Sequence, residues 1–241
     1  MALPVFELTL AKTLVLALCL GIVWFGYFKK VTDIWASIVA SILGVYFIGL
    51  FPLYWFASLL LLYIATSMAT RHKNVWKAVN HTTGRGIKNI LSNLGIALAF
   101  SVMYLVDNQP AFYLAFLCSA ACACSDTLAS EIGQLSRSKP RLITTWQEVK
   151  TGMDGAVSVL GLLSAATGAV LTALPSLWVQ PEATALKFFI TASIIGFIGC
   201  NIDSLVGAQY ELRGSVTNDT TNLIATTISG FLGLIAWLIL F

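Results

Sequence analysis

An all-α, polytopic bundle of about seven to eight transmembrane helices is the fold this sequence predicts, and two observations predict it. The chain is 58% hydrophobic and only 10% charged, with a mean hydropathy of +0.84. Soluble domains carry about 25% charged residues. Its apolar residues also gather in windows of about twenty, the length that crosses a bilayer core as a helix. The whole chain, 1–241, reads as one integral-membrane domain. No soluble domain or low-complexity segment is visible.

The windows are 8–28, 32–50, 52–70, 87–106, 110–130, 154–174, 185–206 and 221–241. The first resembles a signal peptide in length, but it has no basic start and no Ala-x-Ala exit, so it is expected to be retained. The second and third nearly fuse around Pro52 and read as a tight helical hairpin. The fifth and seventh carry polar residues at one end. Runs of small residues, as in "AVSVLGLLSAATGAV", allow close helix packing, within one chain or across a homodimer.

Charge sets the orientation. Twelve of the 14 Lys and Arg residues fall after the first, third, fifth and seventh windows, Lys12 and Lys187 being the exceptions. Positive residues stay on the cytoplasmic side during insertion. Those connections, and any site they build, are expected to face the cytoplasm or stroma. The membrane would be a bacterial or archaeal inner membrane or a plastid envelope. Three polar stretches share that face: 71–88, 131–153 and 207–220.

Several chemistries are disfavoured. The five cysteines lie in apolar runs, and their number and spacing suit neither a disulfide framework nor a zinc site. Both histidines, His72 and His81, fall in a basic connection and are not expected to bind metal. No G-x-x-x-x-G-K-[ST] phosphate loop and no soluble-kinase signature occurs. No nucleic-acid partner is expected.

The candidate chemistry begins in "CSDTLASEIG", at the end of an apolar run. Charges within apolar segments are costly and tend to mark function. On a helix, Asp126, Thr127, Ser130 and Glu131 are expected on one face. "GCNIDSLVGAQYE" repeats the theme with Asn201, Asp203, Ser204 and Gly207: an acid, a hydroxyl, then a small residue four on from the acid. Carboxylates brought together from two helices suit Mg²⁺, which favours oxygen ligands and substrate phosphates. They equally suit a cation path. Asp126, Glu131 and Asp203 are therefore the expected metal ligands. Between the two stretches, Arg137, Lys139, Arg141, Thr144 and Lys150 lead into Thr151-Gly152-Met153-Asp154-Gly155. Basic side chains and a Gly-rich turn before a helix are expected to bind phosphates. Arg85, Asn89 and Asn93, at four-residue spacing, would line one helix face. With Asn201 and Ser204, they are the expected contacts for an acceptor phosphate.

Taken together, "SDTLASEIG", "PRLITT", "GMDGAVSVLG" and "NIDSLVGAQ" resemble an integral-membrane family whose plant plastid member is phytyl-phosphate kinase. The resemblance covers about 31–241. Ser125-Asp126, Gly133, Pro140, Thr144, Gly152 and Gly155 are more loosely similar to a pattern in CDP-diacylglycerol synthases and dolichol and phytol kinases. Asp154 departs from the synthase arrangement. The resemblance implies a membrane lipid kinase, using Mg²⁺ and CTP or another nucleoside triphosphate. It would convert a prenyl monophosphate such as phytyl phosphate to the diphosphate, as in tocopherol biosynthesis. A cytidylyltransferase acting on a lipid phosphate and a cation-coupled transporter are the alternatives.

Overall fold

Helix boundaries fall where the sequence supplies caps and breakers. In this computed structural model, which describes residues 8–30, 33–76 and 87–241, Thr9 caps α1 (Leu10–Phe28) by accepting from the Lys12 N–H. Asp33 caps α2 (Ile34–Leu50), its Oδ1 accepting from the Ala36 N–H at 2.6 Å. Pro52 follows at once and α3 (Leu53–Trp76) returns, the expected hairpin. After α4 (Ile87–Asp107), Pro110 opens α5 (Pro110–Gly133). Proline suits a first helical position, where no N–H bond is lost. Ser158 caps α6 (Val159–Ala173), which continues into a 3₁₀ turn at Leu174–Trp178. α7 (Glu182–Val206) runs into a π-helical turn at Gly207–Glu211, and Thr217 caps α8 (Asn218–Leu240).

Seven of these helices are long and apolar enough to cross a membrane, and α2 is shorter at 17 residues. The architecture is an all-α polytopic bundle. One predicted boundary is corrected. Residues 154–158 are not the first turn of the sixth helix, because the Ser158 side chain caps the helix there and the preceding residues pair as a strand.

α5 is the central helix. It packs against α3, α4, α6, α7 and α8, and every residue from Tyr113 to Ser125 is buried. Glycines from the surrounding helices let them approach it. A Cβ on Gly168 of α6 would lie 2.9 Å from the Cys124 carbonyl oxygen, and one on Gly196 of α7 would lie 2.6 Å from the Ala121 Cβ. Small residues at such seams replace the hydrophobic effect, which lipid does not supply between helices. Ser125 adds a bond across the α5–α6 seam, donating to the Ala165 carbonyl at 2.9 Å.

The two ends of the bundle differ. At one end, Phe47, Phe51, Trp55, Tyr104, Tyr113 and Phe116 form a continuous aromatic layer, with Trp55 4.7 Å from both Tyr113 and Phe116. At the other end lie the polar ends of α5 and α7. The connection 134–158 folds over that end. Its strands β1 (Arg141–Leu142) and β2 (Ala156–Val157) pair antiparallel, the only sheet among the described residues. The Ile143 N–H donates to the Gly155 carbonyl at 3.0 Å and the Val149 N–H to the Pro140 carbonyl at 3.0 Å. The connection is therefore a folded cap and not a loose loop.

Candidate functional site

The cap encloses a cavity of about 230 Å³ between the ends of α5, α6 and α7. α5 contributes Asp126, Ser130 and Gly133, and α7 contributes Asn201, Asp203 and Ser204. The two stretches with the repeated acid-hydroxyl pattern thus wall the same space. Asp126 and Asp203 both line it, one from each helix, and face each other across it. Asp203 is 9% exposed, and its Oδ2 is buried with no donor among the described residues. The Asn201 side-chain amide donates to the Phe197 carbonyl at 2.8 Å, which leaves its oxygen for the cavity.

The approach of α6 and α7 to the cap is fixed by close contacts. Ser158 accepts from the Gly161 N–H at 3.1 Å and donates to the Gly133 carbonyl at 3.4 Å, so one side chain starts α6 and ties it to the end of α5. Gly155 has φ +71°, and a Cβ there would lie 2.4 Å from the Ala208 Cβ. Only glycine lets this turn press against the end of α7. Gly152, with φ +88°, and Asp154 also line the cavity.

Glu131 is a correction. Asp126 and Ser130 face the cavity, but Thr127 lines a separate apolar pocket of about 110 Å³ among α1 to α5. Glu131 turns to α3, where its Oε1 accepts from the Thr70 hydroxyl at 3.3 Å. Residues at i+1 and i+5 lie about 100° around the helix from those at i and i+4, which is enough to face another neighbour. Asp126, Glu131 and Asp203 therefore do not form a triad. Among the described residues no three acidic, histidine or cysteine side chains converge as a metal cluster.

The basic residues are also placed differently from expectation. Among the described residues, no Lys or Arg lines the cavity. Lys139 and Arg141 are exposed and reach Glu148 at 3.6 and 3.8 Å. Thr144 and Lys150 are exposed on the cap. Arg137 lies instead at an open apolar groove between α3, α5 and α6, beside His72 and Met68. Two of these residues still adjoin the wall through the backbone: Arg141 pairs with Val157, and Lys150 precedes Thr151, both partners being wall residues. Asn93 lines the apolar pocket beside Thr127 and does not join the acids. Arg85 and the Asn89 side chain lie outside the described residues.

Residues that the sequence did not single out complete the wall: Gln134, Ser158, Asn218 and above all Glu211. Glu211 ends the π-helical turn, and its Oε2 accepts from the Thr221 hydroxyl at 3.3 Å. Its one sequence signal is its place at the end of "GCNIDSLVGAQYE".

The donor set fits a hard divalent cation. Two carboxylates share the cavity, and among the described residues no donor satisfies the Asp203 Oδ2 and no cationic side chain lines the wall beside them. Mg²⁺ is commonly held by one or two carboxylates, with substrate phosphates and water filling its octahedron.

Comparison with known proteins agrees with a shared architecture. Residues 17–234 match the family model described as "Integral membrane protein DUF92". The chain is 35% identical to the uncharacterized membrane protein MJ0933 of Methanocaldococcus jannaschii, over 84% of this chain and 82% of that one. It is 35% identical to protein PGR of Arabidopsis thaliana over 47% of this chain and 43% of the relative. It is 27% identical to the chloroplastic protein VTE6 of the same plant over 63% of this chain and 47% of the relative. The chain thus spans less than half the length of either plant relative. No solved structure matches it.

Proposed function

Since the chain belongs to the DUF92 family of integral membrane proteins, we propose that it is a membrane lipid kinase acting on a prenyl monophosphate such as phytyl phosphate. The observation that carries this reading is the meeting of Asp126 and Asp203 in a polar cavity at the end of an otherwise apolar bundle. The resemblance of the four sequence motifs to the family of phytyl-phosphate kinase supports it, and the chloroplastic relative is consistent with it.

In this reading Asp126 and Asp203 hold Mg²⁺. The ion would offset the charge of the nucleotide phosphates and draw the reacting oxygens together. The donor is CTP or another nucleoside triphosphate. Ser130, Asn201 and Ser204 orient phosphate oxygens along the wall, and the cap excludes water. Arg141 and Lys150, beside the wall, bind the outer phosphates from the rim. The acceptor phosphate is ionised near neutral pH, so its oxygen attacks the terminal phosphorus without a general base. Positioning and charge neutralisation carry the rate. The site faces the cytoplasm or stroma, where the nucleotide is.

A cation-coupled transporter is the second reading, favoured by a cavity wall that carries acids and, among the described residues, no Lys or Arg. The basic residues of the cap oppose it, Arg141 and Lys150 adjoining the wall, because a cation path has no use for positive charge at its mouth. The test uses purified protein in detergent with Mg²⁺, phytyl monophosphate and each of CTP, ATP, GTP and UTP, with products identified by mass. Phytyl diphosphate plus a nucleoside diphosphate is expected. A nucleotide-linked lipid plus pyrophosphate would make it a cytidylyltransferase. No product from any donor would reject the enzyme and turn the question to transport.

A further inference from the structure

We propose that the prenyl tail of the acceptor lies in an apolar crevice among α2 to α5, with Gly95 setting how long a tail its narrow end admits. The proposal rests on the kinase reading for the identity of the lipid.

The crevice joins two spaces. The larger is the apolar pocket of about 110 Å³ that Thr127 lines, and on α3 it runs from Thr66 down to Phe56. That stretch of helix covers ~15 Å, about half the thickness of a bilayer core. A lipid tail whose phosphate sits at the membrane face reaches that depth. The smaller space, about 40 Å³, shares Leu43, Leu59, Ile90 and Leu94 with the larger. It ends on Phe47 and Phe116 of the aromatic layer. Thr66, Asn93 and Thr127 line the end nearer the cap, and among the described residues the wall of the smaller space is wholly apolar. An apolar cavity of roughly 150 Å³ stays dry and takes an apolar ligand. Volumes of this order admit one chain, so a single-tailed prenyl phosphate fits where a two-tailed phospholipid does not.

Gly95 marks the narrow end. Glycine inside a helix weakens it, and calls for a reason in packing or function. At Gly168 and Gly196 the reason is a neighbour too close for a Cβ. Gly95 has no such neighbour: it lines the smaller space, and an added Cβ would meet nothing within 4 Å. Its missing side chain leaves room for something else.

The crevice also lies beside the polar cavity. Thr127 lines the one and Asp126 the other. At about 100° per residue, Ser130 stands about 40° from Asp126 and about 60° from Thr127 on the surface of α5. Ser130 is exposed and lines the polar cavity. A lipid with its phosphate beside Asp126 would pass Ser130 and enter the crevice at Thr127.

The test is photolabelling, which needs no turnover. Phytyl monophosphate with a diazirine at the free end of its chain is bound to the purified protein in detergent and irradiated, and the adducts are mapped by mass. Adducts that unlabelled phytyl monophosphate competes away are expected on the crevice walls of α3 and α4, between Phe56 and Leu62 and between Ile90 and Leu98. Gly95→Leu is expected to lower this labelling about tenfold, the loss that one overpacked contact brings. Labelling by the geranyl analogue, with half as many carbons, should stay near wild type in that variant. Gly21→Leu is the control: its Cβ also meets nothing within 4 Å, but it does not line the crevice, and neither label should change. Competed adducts elsewhere in the bundle, or full phytyl labelling of Gly95→Leu, would overturn the crevice and leave the kinase reading standing. Competed adducts in the crevice, with no phytyl diphosphate in the turnover assay, would keep the tail site and overturn the kinase. No competed adduct anywhere would overturn the tail site, and the turnover assay would then decide the kinase reading by itself.

Discussion

Two glycines with the same backbone demand and different surroundings separate conformational from steric cost. Gly155 and Gly214 have φ of +71° and +69°. Alanine in that region costs about 1–2 kcal/mol. Around Gly214 nothing lies within 4 Å, so Gly214→Ala is expected to lose about that much and no more. At Gly155 the new methyl would meet Ala208 and the Ser204 carbonyl oxygen at 2.4 and 2.6 Å. Overpacking adds about 1–3 kcal/mol, so Gly155→Ala should melt lower than Gly214→Ala in detergent. Equal melting temperatures would mean the cap does not press on α7 as described. The Lys139–Glu148 and Arg141–Glu148 contacts give the opposite expectation. They are exposed, and such pairs contribute about 0–1 kcal/mol. Glu148→Gln should therefore leave the melting temperature nearly unchanged, while Arg141→Ala raises KM for the nucleotide more than it lowers kcat. A drop in kcat with KM kept would place Arg141 at the reacting phosphate and not at the rim.

At the scale of the helices, the spans were legible because a run of twenty apolar residues has few other meanings. The Pro52 hairpin and the proline start of α5 were legible for the same local reason. The start of α6 was not. "GMDGAVS" is small and apolar enough to read as helix, and only the pairing of Ala156 and Val157 with β1 makes it a strand. Glu131 was placed with Asp126 because five residues seem near on a helix. Which neighbour lies 100° around it is a tertiary fact, and that neighbour is Thr70. Glu211 was missed because a π-helical turn breaks the 3.6-residue period on which such readings depend. The seam of α5 with α7 yields its own prediction. Gly196→Val should push α7 from Ala121 and part Asp126 from Asp203. Lower thermal stability and lost Mn²⁺ binding at Asp126 and Asp203 are expected together. Normal Mn²⁺ binding in that variant would show that the seam does not set the spacing of the acids.

Across the whole molecule, polarity is divided between two ends. An aromatic layer around Trp55 closes one, and four acids under a folded cap occupy the other. The meeting of Asp126 and Asp203 was legible from a short repeated pattern. The lack of a Lys or Arg in the cavity wall among the described residues was not, because charge counts along a sequence do not say which way an exposed loop points its side chains. In the proposed reaction the phosphate charge is met by Mg²⁺ held by Asp126 and Asp203, with Arg141 and Lys150 assisting from the rim. The central claim is that transfer takes place in this cavity. The direct measurement is phytyl diphosphate formation from γ-labelled CTP by Asp203→Asn and Glu131→Gln side by side. Asp203→Asn is expected to lose at least about a hundredfold in turnover, since even weakening the support of a metal ligand costs 10–100-fold. Glu131→Gln, facing α3, should keep most of it. Near-normal turnover in Asp203→Asn, or a loss confined to Glu131→Gln, would contradict the account.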